Sequence, residues 1–161
     1  MQVRLLAMLA ITTLLAGPVT SADETKPAKL THMVALADDL KWVDAPPGLP
    51  PGGKMAVLDG DPSKEGSVFT LRAKLPDGYI VPPHFHGTDE SITVLEGSFG
   101  IAVGEKFDKS KIRYLPPGSF ARMSKGEKHY VQTKGATVIQ ITAVGPFDIS
   151  YVDPSDDPRK K

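Results

Sequence analysis

Short β-prone runs alternate with turn residues over most of the chain after Lys54. The turns between them are rich in Gly, Pro, Asp and Ser, and no stretch has a convincing helical period. This spacing is typical of an antiparallel sandwich or a small barrel. The pattern therefore predicts an all-β domain over 54–153 with about ten short strands. The predicted strands are 55–58, 67–75, 79–86, 91–95, 99–103, 112–115, 120–123, 129–133, 137–144 and 147–152.

The N-terminus has the pattern of a secretory signal peptide over 1–22. Arg4 precedes an apolar run over 5–15, and small residues up to Ala22 offer a cleavage site. The apolar run is too short to span a bilayer. We therefore expect cleavage after Ala22, a periplasmic or secreted protein, and no membrane association once the signal peptide is removed.

A Pro- and Gly-rich stretch over 45–53 stops regular structure before the first predicted strand. The residues over 31–40 could form one or two helical turns, but too few residues precede the stretch for a separate domain. The sequence therefore predicts an N-terminal arm, 23–53, that lies across the surface of the barrel. At the other end of the chain, 154–161 form a short, turn-like tail.

The charge balance and the lack of cysteine limit which partners and which kinds of metal or catalytic site we expect. Nineteen Lys and Arg balance nineteen Asp and Glu, so we expect no nucleic-acid partner. The chain has no cysteine, which excludes thiolate metal sites and cysteine nucleophiles. A metal site in this chain must therefore use donors other than thiolate.

Two histidines on one predicted strand, His84 and His86, are two residues apart. Residues i and i+2 of an extended strand face the same side, so both imidazoles point to one place. Glu90 follows after a short turn, and His129 begins a later predicted strand. Imidazole and carboxylate donors bind first-row transition metals without selecting among them. The pattern therefore predicts one divalent transition metal, either Zn, Cu, Fe, Mn or Ni.

The spacing of these residues resembles the two motifs of the cupin superfamily. The first motif is glycine, five residues, His-x-His, three residues, Glu, six residues and glycine, and it matches Gly78 to Gly97 at every fixed position. The second motif matches in spacing from Gly118 to Thr133. Ser124 stands where the family has Pro, and Thr133 stands where it has Asn. Neither position is a metal ligand in the family.

The resemblance implies a cupin jelly-roll β-barrel, also called a double-stranded β-helix, with a metal inside. The implied metal ligands are His84, His86, Glu90 and His129, and Glu90 could also act as a catalytic base. The chain is similar to small single-domain secreted bacterial cupins, and to the cupin domains of zinc-binding anti-sigma factors. Cupins often dimerise, so a homodimer is compatible with the resemblance.

Two functions are compatible with this reading, and both use a small-molecule ligand or substrate. One is a mononuclear metalloenzyme, for which the superfamily offers oxygenase, oxidase, decarboxylase and isomerase activities, with a dioxygenase-type oxidoreductase as the leading choice. The other is a non-catalytic periplasmic module that binds or senses a small molecule or a metal. A purely structural metal and a metal-free cluster of buried histidines are further alternatives.

Two other polar residues, outside the predicted ligand set, are considered as possible site residues. Gln140 interrupts the apolar run 138–141. It could contact a bound ligand from inside the barrel, or it could point outward from a half-exposed strand. His32 lies in the arm outside both motifs, and we expect it at the surface.

Overall fold

Two antiparallel sheets form the fold in the computed structural model, which describes residues 33–161. The predicted signal peptide and His32 lie outside the described residues. The described part contains no helix that is long and apolar enough to cross a membrane. The strands are β1 (Val43–Asp44), β2 (Lys54–Asp59), β3 (Val68–Leu75), β4 (Ile80–Phe85), β5 (Glu90–Glu96), β6 (Phe99–Val103), β7 (Arg113–Leu115), β8 (Phe120–Met123), β9 (His129–Thr133), β10 (Thr137–Val144) and β11 (Ser150–Tyr151).

The strand order is that of a jelly roll. One sheet has the order β1-β2-β3-β10-β5-β8, and the other has the order β11-β4-β9-β6-β7. From β3 onward the chain repeatedly crosses from one sheet to the other, so strands that follow each other along the chain mostly lie in opposite sheets. The predicted all-β jelly-roll fold is confirmed, and the bounds of β6, β8, β9 and β10 agree with the sequence prediction.

Alternation of side chains along the strands builds the core between the two sheets. In β3, Phe69, Leu71 and Ala73 point inward and are buried, whereas Arg72 and Lys74 point outward. Strand β10 has the same alternation. The core consists of Phe69, Leu71, Ala73, Leu75, Tyr79, Val81, Ile92, Val94, Phe99, Ile101, Val131, Ile139, Ile141, Ala143 and Tyr151.

The Pro- and Gly-rich part of the arm packs against the barrel through two tyrosines. The Tyr151 hydroxyl donates a buried hydrogen bond to the Gly48 carbonyl at 2.8 Å, and the Tyr79 hydroxyl donates to the Pro50 carbonyl. Just before this stretch, the arm contributes β1, which pairs with β2 and was not predicted from the sequence. The predicted helical turns reduce to a single 3-10 turn, Ala37–Asp39.

The C-terminal tail forms two 3-10 turns, Pro154–Asp156 and Pro158–Lys160. Asp157 between them is buried and accepts from Arg159 Nε at 2.8 Å. Arg159 Nη2 also donates to the Ile149 carbonyl at 3.1 Å, which ties the tail to the segment before β11.

Candidate metal centre

The structure brings together all four residues of the predicted ligand set. His84 lies near the end of β4, His86 follows that strand, Glu90 begins β5 and His129 begins β9. All four side chains are buried. The ligand atoms of the three histidines lie within 4.8 Å of one another, and Glu90 Oε2 lies 3.6 Å from Nε2 of both His86 and His129. The cluster joins the two sheets, because three imidazoles come from the β4 and β9 side and the carboxylate comes from β5.

Two prolines in β4 place His84 opposite His129. Pro82 and Pro83 have no N–H to donate to the neighbouring strand, so a regular ladder cannot continue through them. The pairing of β4 with β9 shifts between Val81 and His84, and it resumes with His84 directly opposite His129. The shift therefore brings the two imidazoles together, with their ring centroids 4.2 Å apart.

Backbone carbonyls fix the tautomer of each imidazole. Each of the three Nδ1 atoms lies within hydrogen-bonding distance of a carbonyl oxygen, which can only accept, so each Nδ1 carries the proton. Each Nε2 then has its lone pair free, which is the form that binds a metal. The three bonds are His84 Nδ1 to Pro82 O at 2.7 Å, His86 Nδ1 to Asp148 O at 2.5 Å and His129 Nδ1 to Glu127 O at 3.0 Å.

Burial keeps the cluster uncharged when no cation is bound. Burial lowers the pKa of His84 well below its ordinary value, and the neighbouring imidazoles lower it further. Burial also lowers the pKa of His129 to about 4 and raises the pKa of Glu90 to about 8. At neutral pH the imidazoles are therefore neutral and the Glu90 carboxyl is largely protonated. A divalent cation would favour the carboxylate form, since it supplies the positive charge that the surrounding residues lack.

The donor set fits a transition metal ion. Two atoms that each lie about 2.1 Å from one ion are about 3 to 3.4 Å apart at octahedral or tetrahedral angles. The separation of 3.6 Å between Glu90 Oε2 and the two Nε2 atoms is slightly longer than this, and it is too long for hydrogen bonds. Three histidines with free Nε2 lone pairs and one carboxylate could therefore close around an ion with small side-chain movements.

The segment Phe147–Asp148 supports His86 and was not singled out from the sequence. The Phe147 ring stacks on the His86 ring, with centroids 4.5 Å apart and an interplanar angle of 18°. The Asp148 carbonyl accepts from the same imidazole. A backbone carbonyl leaves no signature in the sequence, and Phe147 looked like an ordinary residue of the last predicted strand.

A second support ties the turn between β8 and β9 to the start of β5. Asp89, which precedes Glu90, accepts from the Lys125 backbone N–H at 2.7 Å and from the Arg122 side chain. These bonds hold the pKa of Asp89 below its ordinary value. The Gly126 N–H donates to the His86 carbonyl at 3.0 Å. The turn is therefore fixed at both sides of the His86–Glu90 connection.

The four side chains form part of the wall of a cavity of about 440 Å³ between the two sheets. The rest of the wall is mostly aliphatic and aromatic. The apolar residues include Leu71, Ala73, Leu75, Val81, Ile92, Phe99, Val131, Ile139, Ile141 and Phe147. The arm also contributes Leu49, and Val43 and Val57 line the exposed side. A small molecule in this cavity would therefore touch both the histidine cluster and an apolar surface.

Gln140 lies on the outward face of β10, away from the cavity. Its neighbours Ile139 and Ile141 line the cavity, and strand alternation turns Gln140 to the other side. There its Oε1 accepts from Arg72 Nε at 3.3 Å. Of the two placements considered from the sequence, the outward one therefore describes this residue, and no contact with the histidine cluster follows from it.

Known proteins resemble this chain in sequence family and in fold. A family model described as "Domain of unknown function (DUF4437)" matches residues 18–150. No match was found among curated proteins. Similar solved structures include the polyketide cyclase RemF from Streptomyces resistomycificus, with 22% identity and a TM-score of 0.65 over 81% of this chain and 92% of that chain. An acetylacetone dioxygenase from Acinetobacter johnsonii has 19% identity and a TM-score of 0.62 over 82% of this chain and 85% of that chain.

An RmlC-like cupin from Shewanella frigidimarina has 15% identity and a TM-score of 0.54 over 71% of this chain and 91% of that chain. These identities are low, so the similar structures establish the fold and no particular reaction. They agree with the two cupin motifs and with the observed jelly roll. The chain belongs to the DUF4437 family and has the fold of the cupin superfamily.

Proposed function

We propose that this protein is a mononuclear metalloenzyme of the cupin type that converts a small molecule in its barrel cavity. The ion would be held by Nε2 of His84, His86 and His129 and by the Glu90 carboxylate. The observation that carries the proposal is the convergence of three free Nε2 lone pairs and one carboxylate in a buried space. The leading reaction class is a dioxygenase-type oxidoreduction, with decarboxylation and isomerisation as other cupin chemistries.

The position of the cluster supports a catalytic ion over a closed structural one. An octahedral ion with four protein ligands keeps two positions for other molecules, and here the cluster borders a cavity large enough for a ligand. When bound, such an ion supplies Lewis-acid polarisation of a ligand oxygen or electron transfer with dioxygen. The similarity to an acetylacetone dioxygenase and to a polyketide cyclase is compatible with small-molecule chemistry on this fold.

The chain's own residues have clear tasks in this proposal. The carbonyls of Pro82, Asp148 and Glu127 orient the three imidazoles. Glu90 would bind the ion as a carboxylate, and it could take up a proton on its carboxyl oxygen when it leaves the ion, since burial without a cation raises its pKa to about 8. The apolar wall keeps water away from the bound molecule and strengthens electrostatic interactions there.

A non-catalytic binding module is the second candidate. The observation in its favour is the scarcity of other reactive groups in the cavity wall. Beyond the predicted ligands, the only ionisable side chains that residues 33–161 contribute to this wall are those of Asp44, Tyr79 and Asp148. Asp44 is exposed and pairs with Lys54, and the Tyr79 hydroxyl is bonded to the arm. In both candidates we propose export by the N-terminal signal and a periplasmic or secreted location.

Metal content of purified variants tests the proposed centre. We expect about one equivalent of a transition metal in the wild type, measured by inductively coupled plasma mass spectrometry. His84→Ala and His129→Ala should lose most of it, since each removes one of only four ligands. His32→Ala, which removes a histidine outside both motifs, is the matched control and should keep the metal. Wild-type metal content in both cluster variants, with unchanged melting curves, would refute the centre.

Turnover separates the two candidates. Oxygen consumption and product formation are measured with metal-loaded wild type and Glu90→Gln on a panel of small oxygen-containing substrates. The enzyme proposal expects metal-dependent turnover that falls at least about 100-fold in Glu90→Gln. Metal-dependent ligand binding without turnover in the wild type would favour the binding module.

A further inference from the structure

The cavity wall offers almost no free hydrogen-bonding group outside the histidine cluster. In the described part of the chain, no Lys or Arg lines the cavity. The Tyr79 hydroxyl already donates to the Pro50 carbonyl, and an Asp148 carboxylate oxygen lies 3.3 Å from the Gly87 N–H that donates to it. Asp44, Ser63 and Asp148 are the exposed polar residues of the wall. The polar atoms available deep in the cavity are therefore those of the three imidazoles and Glu90.

We propose that the molecule bound in this cavity is uncharged and largely hydrocarbon, with one oxygen-bearing end directed at the histidine cluster. This inference rests on the proposed function and names the substrate class of the same site. The apolar side chains of both sheets would cover the hydrocarbon part, and removal of that surface from water would drive binding. The cavity volume of about 440 Å³ lies within the range that holds a small organic molecule.

The same wall disfavours the other common classes of small molecule. A phosphate or sulfate ester carries negative charge on several oxygens and is usually bound by Arg or Lys, and no described Arg or Lys lines this cavity. A sugar carries many hydroxyl groups, and each would lose its hydrogen bonds to water against aliphatic side chains. A carboxylate away from the ion would be buried without a cationic partner.

The exposed side of the cavity is also apolar. Val43 on β1 and Val57 on β2 line it, with 62% and 52% of their surface exposed. Val57 is the register partner of Leu71, whose side chain points into the core, so Val57 faces the same side. The edge formed by β1 and β2 therefore presents aliphatic groups to a molecule that enters from solvent.

A pair of probes that differ only in charge tests the ligand class. We would measure binding of 2-naphthol, which is neutral at pH 7, and of 2-naphthoate to the full-length protein by equilibrium dialysis after removal of metal by a chelator. We expect 2-naphthol to bind at least about tenfold more tightly, because the carboxylate would be buried without a cation. Equal or tighter binding of 2-naphthoate, or no binding of 2-naphthol, would overturn the inference.

A matched pair of substitutions tests where the probe binds. Val57→Trp places a large side chain at the exposed side of the cavity. Val68→Trp makes the same change on the outward face of the adjacent strand β3, where 65% of the valine is exposed. We expect Val57→Trp to weaken 2-naphthol binding at least about fivefold and Val68→Trp to leave it unchanged. Equal effects of the two substitutions would overturn the cavity as the binding site.

The dialysis is performed without metal, so it tests the ligand class independently of the proposed metal centre. If the protein holds one transition metal through its histidines but prefers 2-naphthoate, the metal centre stands and the neutral substrate class is refuted. If the protein binds 2-naphthol in the cavity but holds no metal, the proposed function is refuted and the ligand class stands.

Discussion

Replacing Glu90 by Gln should change the stability of the metal-free protein in a strongly pH-dependent way. Burial raises the pKa of this carboxyl from 4.5 to about 8 in the folded protein. The folded state therefore keeps a proton that the unfolded chain releases above pH 4.5. The stability that this proton provides is complete below pH 4.5 and is lost as the pH rises toward 8. Gln has nearly the same shape and does not ionise, so Glu90→Gln lacks this loss.

The size of the effect follows from the two pKa values. Each unit of difference corresponds to about 1.4 kcal/mol. The buried carboxyl therefore costs the wild type about 3 kcal/mol of unfolding free energy at pH 7 and about 5 kcal/mol at pH 9, and only about 1 kcal/mol at pH 5. The lowered pKa values of His84 and His129 destabilise the fold only below about pH 6.5, and they do so in both proteins. Relative to the wild type, Glu90→Gln should thus gain about 4 kcal/mol between pH 5 and pH 9.

Urea unfolding of the chelator-treated proteins at pH 5, 7 and 9 measures this difference. Glu96→Gln, an exposed position on the same strand, is the matched control and should follow the wild-type pH profile. With metal added, Glu90→Gln should instead be less stable than the wild type. The substitution removes a proposed ligand and should therefore reduce the stabilisation that added metal gives. Parallel pH profiles of wild type and Glu90→Gln would refute the assignment of Glu90 as a buried carboxyl with a raised pKa.

Two further pairs of substitutions test the fold around the site. Gly97 and Gly126 have nearly the same positive φ, 76° and 77°. A Cβ added at Gly97 would lie 2.2 Å from a facing backbone carbonyl oxygen, whereas a Cβ added at Gly126 would have no facing atom within 4 Å. Gly126→Ala should therefore cost about 1–2 kcal/mol and Gly97→Ala clearly more in urea unfolding, and equal losses would contradict the steric argument. Tyr151→Phe removes the buried bond to the Gly48 carbonyl and should cost about 1–3 kcal/mol and speed limited proteolysis within the arm. Tyr114→Phe, which loses only a 3.4 Å contact, is its control, and unchanged proteolysis of Tyr151→Phe would count against this anchor of the arm.

The barrel could be predicted because its strands depend on local alternation. In β3 and β10 an apolar residue at every second position specifies both the strand and its inward face. Such a pattern is weaker near the ends of the barrel. β1 has two residues in an arm rich in Pro and Gly, and it forms only because β2 offers an edge to pair with. The last predicted strand, 147–152, shortens to β11 because Phe147 and Asp148 turn toward His86.

The candidate site could be predicted only as far as side-chain identity determines it. The spacing of His84 and His86 on a strand and the cupin motifs led to all four clustered residues. The sequence did not reveal the carbonyls that orient the imidazoles, the stacking of Phe147 or the apolar cavity, since these depend on how distant segments meet. For Gln140 the sequence analysis left both directions open, and the structure turns it outward because its neighbours Ile139 and Ile141 line the cavity.

The four clustered residues are distributed unevenly along the chain, and this affects the order of assembly. His84, His86 and Glu90 lie close together in the sequence, at the end of β4, in the turn after it and at the start of β5, whereas His129 arrives on β9 after three further strands. An ion that needs all four donors therefore binds tightly only after β9 has docked beside β4. Metal uptake would then mark the completion of folding and would slow its reversal.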